Sequence, residues 1–122
     1  MGRNKRKKGY KLSYWCTCAD NCEENLFAQI GVSLLQHPSF LGLQASAQHT
    51  YICMVIEAKG KPEFEFPRNT AKKYGIAGRT LVDNVKRLME LGFIEVIASG
   101  KSTREPSQYR FSIAWKSVPE KG

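Results

Sequence analysis

The sequence has no apolar run close to the roughly 18 residues that a membrane-spanning helix needs. Its N-terminus is charged and has neither the apolar segment nor the cleavage site of a secretory signal. We therefore expect a cytoplasmic protein, whose cysteines stay reduced or bind metal. A chain of 122 residues, of which 42% are hydrophobic, suits a single domain with an ordinary core.

The motifs of common catalytic sites are also missing. The chain has two histidines, no nucleophile elbow, no glycine-rich phosphate loop and no pair of carboxylates at a catalytic spacing. The sequence therefore gives no support for an enzyme.

Acidic residues are absent from the first eleven positions, which hold six Lys or Arg. Residues 12–66 contain two basic and six acidic side chains, whereas residues 67–104 contain eight basic and three acidic ones. The formal net charge of +8 is thus concentrated in two regions. Such a distribution favours binding to a polyanion, although many soluble proteins carry a basic face without such a ligand.

Three of the four cysteines lie within seven residues, at Cys16, Cys18 and Cys22. Three thiols this close are compatible with one bound zinc ion, but their C-x-C spacing differs from the C-x-x-C pairs of structural zinc sites. An unstructured or packing role is the alternative. Candidates for a fourth ligand are His37, His49 and Cys53, of which Cys53, in the apolar run ICMVI, is more typical of a buried packing position.

Apolar periodicity predicts three helices, at about residues 44–59, 69–74 and 78–91. Gly75 permits the positive φ of a tight turn between the second and third helices, and Gly92 is placed as a C-terminal cap. The first helix has an apolar stripe of Ala47, Tyr51, Met54, Val55 and Ala58, and the third buries Leu81, Val82, Val85, Leu88 and Met89.

Strand signals flank these helices. Phe64 and Phe66 alternate with glutamates, which predicts a short half-exposed strand. Residues 93–99 and 109–116 predict two further strands joined by the polar, basic loop GKSTREPSQ. In the segment before the helices, FAQIGVS is compatible with a short strand, and His37-Pro38 marks a bend.

Taken together, residues 44–116 resemble a winged helix-turn-helix domain. SLLQHPSFLGL followed by FEFPRNTAKKYGI is similar to small regulators, and to replication-initiator N-terminal domains, of Gram-positive mobile elements. The resemblance rests on Ala71, Gly75-Ile76, Arg79-Thr80, Leu88 and the joint Leu91-Gly92-Phe93-Ile94 within KRLMELGFIEV.

The resemblance implies an α+β fold with a three-helix core, a small antiparallel sheet and a β-hairpin wing. A basic, Cys-bearing arm without structure would occupy residues 1–24, followed by a lead-in over residues 25–43 and a tail at 117–122. It also implies sequence-specific binding of double-stranded DNA, by a transcriptional regulator or a replication-initiator-type protein. The alternative is a winged-helix module that binds another protein. If the chain forms a homodimer, residues 12–43 must supply the contact.

In a DNA reader of this type, residues 78–91 would lie in the major groove and the wing, about residues 99–108, would contact the adjacent backbone or minor groove. Ala77 stands where Ser or Thr often caps the recognition helix, and Gly78 follows it, which weakens the start of this helix. Arg79 is expected to contact guanine and Asn84 adenine. Asp83 would accept from cytosine or orient Arg79 or Arg87. The other expected DNA contacts are Lys72, Lys73, Thr80, Lys86, Arg87, Lys101 and Arg104. Of these, Lys72 and Lys73 would bind phosphates.

Overall fold

The computed structural model of this chain describes residues 9–97 and 107–117. It is an α+β structure with one two-stranded and one three-stranded antiparallel sheet. Its elements are β1 (Tyr10–Lys11), β2 (Glu23–Glu24), α1 (Val32–Leu35), α2 (Pro38–Leu41), α3 (Ala45–Ala58), β3 (Glu63–Glu65), α4 (Arg68–Lys73), α5 (Gly78–Glu90), β4 (Ile94–Val96) and β5 (Gln108–Phe111), with 3-10 turns at Tyr14–Cys16 and Ala114–Ser117.

Helix α3 crosses the centre of the core, and its predicted bounds are confirmed to within one residue. It ends where Lys59 and Gly60 both adopt positive φ, at 54° and 82°. Its buried side chains include four of the five residues of the predicted stripe, and Val55 is half-buried. The buried set is Ala47, Thr50, Tyr51, Cys53, Met54 and Ala58.

Helices α4 and α5 end in the same way, because a glycine with positive φ follows each C-cap residue. Gly75 has φ of 78° and Gly92 has φ of 84°. After α4, the Ile76 N–H donates to the carbonyl of Ala71 at 3.0 Å. After α5, the Phe93 N–H donates in the same manner to Leu88 at 2.9 Å. This pairing satisfies carbonyls that the helix leaves unbonded, and it turns the chain sharply into the next element.

The three-stranded sheet has the order β3-β5-β4, and its two faces differ in polarity. Phe64 lies opposite Tyr109 on the buried face. On the outer face, the Arg110 guanidinium lies 3.6 Å from the carboxylates of both Glu63 and Glu95. The alternation that predicted these strands therefore separates an aromatic core face from a charged outer face.

The predicted strand over residues 109–116 is wrong beyond Phe111. The chain leaves the sheet there and forms the 3-10 turn that contains Trp115, a buried residue. The Trp115 ring stacks on the Phe93 ring with 5.4 Å between centroids. The backbone N–H of Trp115 donates to the carbonyl of Gly92 at 3.2 Å. Burying this large ring over the end of α5 stabilises the turn in place of further strand pairing. The strand predicted over residues 93–99 covers only Ile94–Val96 among the described residues.

The lead-in, residues 25–43, contains two short helices and no strand. At the predicted bend, His37 caps α2, and its Nδ1 accepts a hydrogen bond from the Ser39 N–H at 3.1 Å. Pro38 occupies the first helical position, where its missing N–H has no effect. Phe40 of α2 then enters the core.

Residues 10–24 form a small hairpin, whereas the sequence predicted an arm without structure over residues 1–24. Strand β1 pairs with β2, and the Leu12 N–H donates to the carbonyl of Cys22 at 2.8 Å. Tyr10 packs edge-on against Phe27, which fastens the base of the hairpin to the following segment. Residues 1–8 lie outside the described part. Within the described residues, every helix is too short or too polar to traverse a membrane.

Candidate nucleic-acid interface

A short turn joins the C-terminal end of α4 to the N-terminal end of α5. Ile76 is buried in this turn, and Ala71 of α4 is fully buried against its surroundings. Ala77 is the N-cap residue of α5 and makes no side-chain capping bond, which confirms the weak helix start expected from the sequence.

The exposed side of α5 is charged along its length. Arg79, Asp83 and Lys86 are exposed and recur at helical spacing. The opposite side buries Leu81, Val85, Leu88 and Asn84. The predicted apolar face is therefore confirmed at its centre but is wrong at its edges, because Val82 and Met89 are 47% and 41% exposed.

Two further predicted contact residues of α5 lie beside this exposed side. Arg87 is exposed and its Nη1 lies 3.2 Å from Oε1 of Glu90, one turn later. An ion pair between side chains that are each about half exposed contributes little stability, so Arg87 can exchange this partner for a phosphate. Thr80 is half-buried at the first turn of α5.

Asn84 does not belong to the exposed surface, which corrects its predicted contact with adenine. It is 7% exposed, and its amide donates to Thr50 Oγ1 at 2.9 Å and to Ser46 Oγ at 3.0 Å. Asn84 lies three residues after Leu81 and four before Leu88, which places it on the buried side of the helix. Its hydrogen bonds join α5 to α3. The sequence signal for this role was the pair of hydroxyl residues four positions apart on α3.

Replacing Asn84 with Ala is expected to lower the free energy of unfolding by about 1–3 kcal/mol, because buried polar groups of α3 lose their partner. Folded Asn84→Ala protein should keep its preference among DNA sequences. Urea unfolding followed by circular dichroism measures the first effect. Asp83→Ala is the matched control, since this neighbour is exposed and its loss should change stability by less than about 0.5 kcal/mol. Unchanged stability with an altered base preference would restore the original prediction.

Arg68, at the start of α4, is a member of this surface that the sequence analysis missed. An ideal Cβ placed on Gly78 would lie 2.9 Å from Cζ of Arg68, so the guanidinium occupies the space that glycine leaves open at the start of α5. Gly78 was interpreted as a weakness of the helix start. In the structure, it makes room for a cation there.

The charges of the described surface are segregated. Between residues 67 and 91 the chain has six basic and two acidic side chains. Lys72 and Lys73 of α4 are both exposed. The outer face of the sheet has the opposite character, with Glu63 and Glu95 on either side of Arg110. Among the described residues, positive charge is therefore concentrated on the α4–α5 side of the molecule.

The predicted wing contacts Lys101 and Arg104 lie outside the described residues. Within residues 9–97 and 107–117, no group of three or more His, Cys, Asp or Glu side chains is arranged to hold a metal ion, and the zinc site at Cys16, Cys18 and Cys22 stays a prediction. Cys16 and Cys18 are exposed and Cys22 is half-buried.

The remaining candidate ligands have other roles. Cys53 is buried, as expected, with its Sγ 3.5 Å from Nε2 of His49. Burial, and then the nearby carboxylate of Glu57, raise the pKa of the Cys53 thiol to about 11. This thiol therefore stays protonated at neutral pH. His37 caps α2, as described above.

Comparisons of the chain with protein-family models, with curated proteins and with solved structures find no match. The function must therefore be inferred from the residues themselves.

Proposed function

We propose that this chain binds double-stranded DNA through a winged helix-turn-helix arrangement, with α5 as the recognition helix. In this proposal α3, α4 and α5 form the three-helix core and β3-β5-β4 is the associated sheet. The chain between β4 and β5 would be the wing. The proposed biological role is that of a transcriptional regulator or a replication-initiator-type protein.

The exposed side of α5 is the observation that carries this proposal. It places Arg79, Asp83 and Lys86 on one helical line, while the apolar side of the same helix is anchored in the core. A helix whose apolar side is packed in the core and whose exposed side is polar is suited to the major groove. Hydrogen-bonding side chains distinguish base pairs there. Arg79 would donate two hydrogen bonds to guanine, and Asp83 would accept one from cytosine.

The cations around α5 supply the contacts that position the protein on the duplex. Lys72 and Lys73 of α4 and Arg68 beside Gly78 would bind phosphate oxygens, as would the half-buried Thr80. Lys86 and Arg87 can reach either a phosphate or a base edge. Because these contacts release counterions, binding should weaken steeply as salt concentration rises.

Replacing Arg79 with Ala is expected to weaken binding to the preferred duplex by about 1–3 kcal/mol and to relax the base preference at one position. The measurement is selection from a randomised duplex pool at roughly physiological salt, followed by affinities for the enriched sequence and for a scrambled one. Lys72→Ala is the matched control. It removes an exposed cation from α4 and should weaken both duplexes alike.

The outcomes of this selection separate the proposal from its alternatives. Enrichment of one motif that depends on Arg79 supports sequence-specific DNA binding. The symmetry of that motif distinguishes a monomer from a homodimer. Retention without enrichment indicates non-specific binding. A winged-helix module that binds protein is favoured by one observation, the exposure of Val82 and Met89 on α5. Complete lack of DNA retention would make that module the better interpretation.

A further inference from the structure

The exposed aromatic side chains of the described residues are confined to one place. Of the thirteen Phe, Tyr and Trp residues in the chain, ten are buried or half-buried. The three exposed ones, Tyr10, Tyr14 and Trp15, all lie in the hairpin of residues 10–24, and Tyr14 and Trp15 are 78% and 73% exposed. Large aromatic rings lose favourable burial when they face water, so an adjacent exposed pair is typical of a binding surface.

The hairpin holds these two rings away from the core. The 3-10 turn Tyr14–Cys16 lies in the loop between β1 and β2, and the Cys16 N–H donates to the carbonyl of Ser13 at 2.8 Å. The Tyr14 and Trp15 rings meet edge to face, with 5.0 Å between centroids. Directly after this turn, Thr17 donates a hydrogen bond to the carboxylate of Glu24 in β2. The pair is therefore presented by an ordered loop.

The sequence that leads into this hairpin is strongly basic. Six of the first eleven residues are Lys or Arg, and they lead directly into β1. The hairpin itself contains three acidic residues, of which Glu24 accepts from Thr17 and Glu23 lies opposite Lys11 in the strand pairing. Residues 1–24 together contain six basic and three acidic side chains.

We propose that this hairpin, with Tyr14 and Trp15 in its loop, binds unpaired nucleotides of a single-stranded nucleic acid. Bases without a partner strand present open faces, which stack on aromatic rings, and the basic sequence that precedes the hairpin adds charge that attracts a polyanion. In a duplex those faces are covered by neighbouring bases. A lipid surface fits the pair less well, because the exposed residues of the same loop include the polar Ser13, Asp20 and Asn21.

This inference goes beyond the proposed function, because it uses a surface that shares no residue with α4 or α5. The two can fail separately. A protein that bound duplex DNA through α5 and also held an unpaired strand would be suited to opened DNA, as found where a duplex is melted.

The test compares two probes at the same salt concentration, a fluorescent oligothymidine of about twelve nucleotides and a duplex, by fluorescence anisotropy with the full chain. Trp15→Ala is expected to weaken oligothymidine binding by roughly ten-fold or more, and Tyr14→Ala by a similar or smaller factor. Duplex affinity should stay within about two-fold, since α5 supplies those contacts. Ile113→Ala is the matched control, an equally exposed apolar residue outside the hairpin, and should change neither affinity.

A second readout uses the two tryptophans of the chain. Trp115 is 7% exposed, so oligothymidine should quench the emission of Trp15 selectively. In Trp15→Phe, which keeps an aromatic ring, binding should persist while this quenching disappears. Unchanged thermal unfolding of the variants excludes a folding defect. The proposal is overturned if the wild-type chain does not bind oligothymidine, or if Trp15→Ala binds it as well as wild type does. Quenching or a blue shift of Trp15 by phosphatidylserine vesicles, with none by oligothymidine, would equally overturn it.

Discussion

Replacing Phe93 with Ala is expected to lower the free energy of unfolding by about 3–5 kcal/mol, the usual effect of truncating a fully buried aromatic residue. Phe93 has no exposed surface, and it follows α5 directly. Its ring lies 5.2 Å from that of Tyr51 on α3, 6.1 Å from that of Phe40 on α2 and 5.4 Å from that of Trp115. One side chain thus joins three separate parts of the chain.

The measurement is urea unfolding of the wild type, Phe93→Ala and Phe93→Leu, each followed by circular dichroism. Small domains are stable by only about 5–15 kcal/mol, so the Ala variant should be close to the limit of folding at 37 °C. Phe93→Leu refills much of the cavity and should lose clearly less stability. Equal losses for Ala and Leu would mean that ring contacts, and not the filled volume, dominate at this position. A loss below about 1 kcal/mol for Ala would contradict the packing described here.

Replacing Gly92 with Ala is expected to lower the free energy of unfolding by roughly 2–5 kcal/mol, for two reasons that add. Its φ of 84° lies in the left-handed region, where a residue with a Cβ loses about 1–2 kcal/mol. An ideal Cβ at Gly92 would also lie 2.8 Å from the Cβ of Ala114 and from the backbone N of Trp115, so the turn that holds Trp115 must move. Such overpacking adds about 1–3 kcal/mol.

Gly75 is a matched control for the backbone part of this effect. It follows α4 as Gly92 follows α5, its φ is 78°, and nothing lies within 4 Å of an ideal Cβ there. Gly75→Ala should therefore lose only the conformational contribution, about 1–2 kcal/mol. The difference between the two variants in urea unfolding measures the close approach at Gly92. If the two losses are equal, the contact between Gly92 and the Ala114–Ser117 turn carries no energy.

Replacing Phe93 or Gly92 is expected to affect the proposed DNA-binding surface only by lowering the stability of the fold. Neither residue lies on the exposed side of α5, and both determine how its C-terminal end meets the sheet. Folded Gly75→Ala protein, which alters the turn before α5, is the more informative variant for DNA affinity. That turn leads into the start of α5, where the Arg68 side chain lies beside Gly78.

Much of the fold could be predicted from local patterns in the sequence. A repeat of apolar residues every three to four positions placed α3 and α5 to within one or two residues, because that spacing determines which side of a helix can be buried. Gly75 and Gly92 marked the ends of α4 and α5, since a left-handed residue is needed there and glycine adopts it without strain. The alternation of Phe64 and Tyr109 with charged neighbours placed β3 and β5.

The candidate site was predictable only in part. The exposed cations of α4 and α5 followed from the same periodicity, and Arg79 and Lys86 lie where it placed them. The role of Asn84 could not be predicted from this periodicity. Its side chain donates to hydroxyl groups that lie 34 and 38 residues away, on α3. Arg68 was missed because only folding brings it against Gly78.

The sequence by itself determined the helices, their buried sides, their ends and the uneven distribution of charge, all of which depend on residues within a few positions of one another. The tertiary structure alone decided the partners of Asn84, the departure of Trp115 from the sheet and the hairpin that presents Tyr14 and Trp15. Each of these depends on contacts between distant segments. These long-range contacts stabilise the fold only after the intervening loops have closed, at a cost in chain entropy. No local sequence pattern therefore predicts them.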